Sequence, residues 1–244
     1  MTSQRLPRQR SSSGLNWHIY ASLVAIWITL TLLVHPGGDF PILDEWSYGR
    51  TVKNLIESGE FRYDGWNAPT LFLQILYGAL FCWPFGFSFE ALRVSTLVAG
   101  LAGGIGTFLL LREVAATRVV AATGSLVLML NPSYFQHSFT FMTDVPFTAL
   151  VVWSSLFFLR SLRTGSTQDV VFGTVLAACA TLVRQPGAMI PVAFGIASLA
   201  VHPVSMRLLV RAALPTAVAT ATYIVYLAVI RHLAMEPVLL GTMQ

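Results

Sequence analysis

Long apolar tracts, nearly free of charge, recur along this chain between short polar clusters. They cover residues 17–34, 92–111, 119–135, 145–161, 169–183, 187–202 and 208–230. Crossing the hydrocarbon core takes about 20 helical residues, with roughly 17–25 tolerated. These tracts are the candidate spans. A further apolar stretch, PTLFLQILYGALFCW at 69–83, lies between Pro69 and Pro84 and is short for a full crossing. The pattern predicts an all-α fold, a polytopic bundle of about seven transmembrane helices with a juxtamembrane helical loop.

The arginines decide how the short stretch counts. With it left out and the N-terminus cytoplasmic, Arg112 and Arg118, Arg160 and Arg163, and Arg207 and Arg211 all fall in cytoplasmic loops. Cytoplasmic loops carry an excess of Lys and Arg. Counting 69–83 as a crossing moves all three pairs outside, so the stretch reads as a re-entrant or interfacial helix on the outer face. In this layout only Glu113 and Asp169 among the acids are cytoplasmic, and the remaining acids are external.

The longest connection, residues 35–89, is the first external loop. Within it, DEWSYGRTVKNLIES places Tyr48, Val52 and Leu55 at helical spacing with Ile56 beside them. That is one apolar stripe on a helix, read here as lying on the membrane, with Asp44 at or near its N-cap and Gly59 as its stop.

Composition agrees with the pattern. The chain of 244 residues is 55% hydrophobic and 11% charged, against about 25% charged in soluble domains. The net charge of +4 comes from basic residues that form no run or stripe, which argues against nucleic acid as a partner. Cys82 and Cys179 sit far apart in apolar tracts, where cysteine acts as a small hydrophobe, so neither a disulfide nor a zinc-cysteine site is expected. Residues 1–16 carry arginines and no acid ahead of the first tract, and no A-x-A-like cleavage site follows it. They read as the cytoplasmic tail of an uncleaved signal anchor.

Two adjacent carboxylates, Asp44 and Glu45, stand at the membrane surface of this layout. An Asp there can cap the following helix or serve as a base or cation ligand, and the residues alone allow both. Asp144 in NPSYFQHSFTFMTDVPFTAL is the only acid between Glu113 and Asp169. It either caps its helix or faces Asp44 across a shared external cavity.

The order of these segments resembles the C-superfamily of integral-membrane glycosyltransferases, in the branch of dolichyl-phosphate-mannose protein mannosyltransferases and lipid A aminoarabinose transferases. LDEWSYGRTVKNLIESGEF, NAPTLFLQILYGALF, ALRVSTLVAGLAGGIGTFLLLRE, NPSYFQ…FMTDVPFTAL and LAACATLVRQPGAM carry the likeness over about residues 17–232. The resemblance implies a polyprenyl-phosphate-linked sugar donor and a lipid, glycan or protein acceptor at the outer face of a membrane, here a bacterial inner (plasma) membrane. It maps the family's first-loop acid onto Asp44, with Glu45 beside it, and the second-loop acid onto Asp144. Members of the family usually continue past the seventh span, so residues 17–232 are expected to be an N-terminal module and 233–244 an external tail.

Chemistry assigns roles to these residues. A polyprenyl phosphate is already a good leaving group, so the reaction needs a base for the acceptor hydroxyl and cationic stabilisation of the departing phosphate. Asp44 is the candidate base, with Glu45 and Asp144 orienting it or holding a divalent cation. Otherwise no cofactor is called for. Arg184, in LVRQPG, and Arg93 are the candidate phosphate ligands, since arginine can bind phosphate bidentately; either could instead snorkel to headgroups. His137 is a structural loop residue or a metal ligand. Gly100, Gly103, Gly104 and Gly106 read as a helix-packing face, and Tyr63 and Trp66 as interface aromatics. The rival reading is a non-catalytic membrane protein, either a lipid or solute carrier or a degenerate subunit of a glycan-assembly complex. A carrier should show broken helices at the midplane in two corresponding halves. The chain has one candidate break, at Gln185-Pro186, and no internal repeat.

Overall fold

The computed structural model describes residues 17–35, 37–64, 66 and 70–232. The two tails, 1–16 and 233–244, lie outside the described residues. Every regular element among the described residues is helical. In chain order they are α1 (Trp17–Val34), α2 (Glu45–Ser58), α3 (Phe72–Cys82), α4 (Phe89–Glu113), α5 (Arg118–Met129), α6 (Pro132–Ser138), α7 (Asp144–Thr164), α8 (Thr167–Val183), α9 (Met189–Val201) and α10 (Met206–His232). A single 3₁₀ turn, Gln185–Ala188, joins α8 to α9.

Local chemistry sets several boundaries. The hydroxyls of Ser88, Thr117 and Ser166 accept backbone N–H groups three residues on, at the starts of α4, α5 and α8. Each satisfies a donor that the helix itself leaves unbonded. Gly59 (φ 71°) ends α2 and Gly165 (φ 76°) ends α7 in the left-handed conformation that glycine adopts without strain.

Side-chain bonds gather the helix ends into two groups. At one end Glu113 of α4 pairs with Arg160 and Arg163 of α7, both at 3.3 Å. There Arg211 of α10 donates to the carbonyls of Ser161, Gly165 and Ser166. At the opposite end the Thr70 hydroxyl donates to Val183 O, and the Tyr63 and Tyr226 hydroxyls meet at 3.1 Å. Asp39 accepts from the Phe89 amide at that end as well. The basic clusters that the layout assigned to one face thus share one end of the bundle, and the acid-bearing loops share the other.

Four helices, α1, α4, α7 and α10, are long and apolar enough to cross a membrane, whereas α5, α8 and the segment Gln185–Val201 are shorter. The expected span 119–135 is not one helix. It stops after the 12 residues of α5, about 18 Å of rise, because Pro132 cannot continue the ladder. Asn131 accepts the Ser133 and Tyr134 amides and starts α6 afresh.

α4 runs through the middle. Its glycines sit against four different helices: Gly100 on Trp27 of α1, Gly103 on Tyr134 of α6, Gly104 on Met129 of α5 and Gly106 on Trp153 of α7. A Cβ on Gly104 would lie 2.5 Å from the Met129 sulfur, and one on Gly106 would lie 2.8 Å from Trp153 Nε1. The small-residue face is therefore a packing face on all sides. The stripe of α2 does not face outward, as the expected membrane contact would require. Tyr48 and Val52 are buried with Leu71, Ile75 and Phe141 in the core beneath the acid-bearing loops.

Candidate functional site

Glu45 and Arg93 form the anchor of the acid-bearing end. Glu45 opens α2 and Arg93 lies in the second turn of α4, and they meet at 2.6 Å with both side chains removed from solvent (0% and 1% exposed). Glu45 Oε1 also accepts the Ile42 amide and Oε2 the Phe141 amide, at 2.6 and 2.7 Å. Arg93 donates to the carbonyls of Gly38 and Phe40. One ion pair thus ties the loop before α2, the start of α2, α4 and the segment before α7 together. A buried charge pair costs least when its remaining hydrogen-bonding groups are satisfied, and these loops supply partners for both Glu45 oxygens and for the terminal nitrogens of Arg93.

Asp44 is held differently. It occupies the N-cap position of α2, yet its carboxylate makes no capping bond. It is exposed to solvent, and the residue before it, Leu43, has a φ of 56°. That left-handed backbone is unfavourable for a leucine and persists because Glu45 accepts the Ile42 amide just upstream. The strain and the anchor together present Asp44 outward.

Asp144 begins α7 and pairs with Arg184, which ends α8. The side chains are 44% and 42% exposed, so the pair is open to solvent. Arg184 is extended (φ −147°, ψ 137°), and the chain then folds back through the 3₁₀ turn. That fold needs Gly187, whose Cβ would lie 2.5 Å from the backbone carbonyl carbon of Ala180. The Arg184 guanidinium also lies 5.9 Å from the Phe147 ring centre, a cation–π contact.

Tyr48 joins these groups. It stands one turn beyond Asp44 on the same face of α2, and the Glu45–Phe141 bond brings the segment leading to Asp144 alongside that turn. Burial first, then the charges of Asp44 and Asp144, raise its phenol pKa, while Arg184 opposes them. The phenol thus feels all three charged groups and stays neutral. The stripe reading in the sequence treated Tyr48 only as an apolar residue facing the membrane. Its i, i+4 spacing from Asp44 was the available signal.

Of the site residues predicted, Asp144 pairs with Arg184 and Glu45 with Arg93, and the charges of Asp44, Asp144 and Arg184 all act on Tyr48. His137 stands apart, its Nδ1 2.7 Å from Ser133 O one turn back in α6. Among the described residues no three of His, Cys, Asp and Glu gather as metal ligands. Glu45 is bonded to Arg93 and two amides and Asp144 to Arg184, so both carboxylates already have protein partners.

Four apolar helices of membrane-crossing length define a polytopic membrane protein, and the candidate residues lie at one end of its bundle. The family model for the dolichyl-phosphate-mannose-protein mannosyltransferases matches residues 71–234, more than half of the chain, and the chain belongs to that family. It is a membrane glycosyltransferase. The matched segment contains Arg93, Asp144 and Arg184 and begins after Asp44 and Glu45. No curated protein and no solved structure matches the chain.

Proposed function

We propose that the protein transfers a sugar from a polyprenyl-phosphate-linked donor to an acceptor hydroxyl, with Asp44 as general base. The observation that carries this reading is the exposed carboxylate of Asp44, which has no side-chain partner among the described residues and is held on the same end of the bundle as the Asp144–Arg184 pair. Family membership supports the donor class. Asp44 takes the acceptor proton while the acceptor oxygen attacks the anomeric carbon. The bond from that carbon to the phosphate oxygen breaks, and the phosphate leaves with the electron pair. Arg184 stabilises the charge it gains, because a guanidinium fork suits phosphate oxygens. Asp144 holds Arg184 in place until the donor arrives. Glu45 and Arg93 act through the backbone by fixing Asp44.

We propose a seven-span layout with a cytoplasmic N-terminus and the acid-bearing end outside, so that this site lies at the outer boundary of the membrane. The clustering of the basic residues at the opposite end supports it. The test is transfer by membranes containing the protein, supplied with a panel of labelled polyprenyl-phosphate sugars. Wild type is expected to transfer one of them, and Asp44→Asn to lose that transfer while inserting normally. An Asp44→Asn protein as active as wild type overturns the assignment.

A further inference from the structure

Tyr48 is the one buried phenol beside the charged groups of the site. It is 8% exposed, packed by its ring into the core of α2, α3 and the Phe141 segment. Among the described residues its hydroxyl has no hydrogen-bond partner, although the buried hydroxyls of Tyr63 and Tyr134 and the half-buried one of Tyr77 each have at least one. The fold therefore fixes the ring while the polar tip, which is not among the buried unbonded atoms, stays open, one turn from Asp44 and within the field of Asp144 and Arg184.

We propose that the Tyr48 hydroxyl donates a hydrogen bond to the donor's phosphate, on the same anion that Arg184 takes. This rests on the function proposed above and adds a second ligand for the leaving group. A phosphate entering a site with two carboxylates meets repulsion that one guanidinium only partly offsets. A neutral donor adds attraction without adding charge for Asp44 and Asp144 to bind instead. A phenol does this well, since its O–H donates without ionising. The rise of its pKa, driven by burial and the neighbouring carboxylates, keeps the proton on the oxygen. No proton is transferred from Tyr48. The bond strengthens as the phosphate gains charge on departure, which is when it aids the reaction.

The test uses Tyr48→Phe in the full chain, reconstituted in detergent, with sugar-free polyprenyl phosphate as the probe. Because the hydroxyl has no bond among the described residues, the variant should melt at the wild-type temperature. Its affinity for polyprenyl phosphate should fall by about tenfold, the usual effect of losing a hydrogen bond to a charged group. Equal affinity in the two proteins overturns the role of Tyr48 while leaving the donor reading intact. Wild type that does not bind polyprenyl phosphate overturns the donor reading itself. A clear drop in melting temperature for Tyr48→Phe would show that the hydroxyl serves the fold, and would overturn the proposal as well.

Discussion

Glu45 and Arg93, 48 positions apart in the chain, are joined at 2.6 Å with neither side chain reaching solvent. Both belong to the end of the bundle that carries the site. Removing one partner strands the other as a buried charge, which costs about 3–5 kcal/mol. Glu45→Ala should therefore lower stability by about that much, read as an earlier melting transition in detergent. The double variant Glu45→Leu with Arg93→Met should recover part of the loss. A single variant as stable as wild type would mean the pair is not what holds these loops.

The Asp144–Arg184 pair should behave in the opposite way. Its side chains are more than 40% exposed, and such pairs contribute about 0–1 kcal/mol. Asp144→Asn and Arg184→Ala should each melt within about 1 kcal/mol of wild type yet transfer sugar poorly. Arg184→Lys separates the phosphate role from headgroup snorkelling. Lysine keeps the charge and loses the fork, so donor use should fall clearly, whereas a snorkelling residue would tolerate it. Unchanged turnover in the Lys variant removes Arg184 from the site.

Gln74 of α3 is 0% exposed, and neither atom of its amide has a hydrogen-bond partner among the described residues. Thr70 and Gly78, one turn to either side, contact Val183 and Phe141. An unbonded buried amide costs about 1–3 kcal/mol, so Gln74→Leu should raise stability by about 1 kcal/mol or more. A melting temperature below that of wild type would show that the amide is engaged in the folded protein.

Topology is testable by labelling. Ser58 ends α2 at the acid-bearing end, and Thr164 ends α7 at the basic end. With Cys82 and Cys179 replaced, a membrane-impermeant thiol reagent applied outside should modify Ser58→Cys and spare Thr164→Cys. The reverse pattern sinks the proposed orientation.

Much of this was legible in the residues. Apolar length and arginine placement predicted an all-helical membrane bundle with its charges divided between two ends, because hydrocarbon admits long apolar helices and loop arginines record sidedness. Gly59 marked the end of α2 because a left-handed C-cap is local chemistry, readable within a turn, whereas Asp44 falls at the N-cap position without capping the helix. The glycine face of α4 was visible as a packing face for the same reason, although not that it serves four helices at once. The break at Asn131-Pro132 was also on the page, in a proline and a capping residue whose effect on the ladder outweighs the apolar run around them.

What the sequence left open were the pairings between distant positions. Asp44 and Glu45 are chemically alike and adjacent, yet one is exposed and unbonded while the other is buried on Arg93. Successive residues at a helix start point in directions about 100° apart, and which direction meets Arg93 depends on how α2 docks against α4. Likewise the sequence favoured Arg184 over Arg93 for the phosphate only from its place in a tight turn, whereas burial assigned Arg93 to Glu45 and left Arg184 open beside Asp144. The residues determined which charges were available and at which end of the bundle they would lie. Only the packing of α2, α4, α7 and α8 decided which charges neutralise one another in the core and which face the site, because burial penalises an unpaired charge and solvent does not.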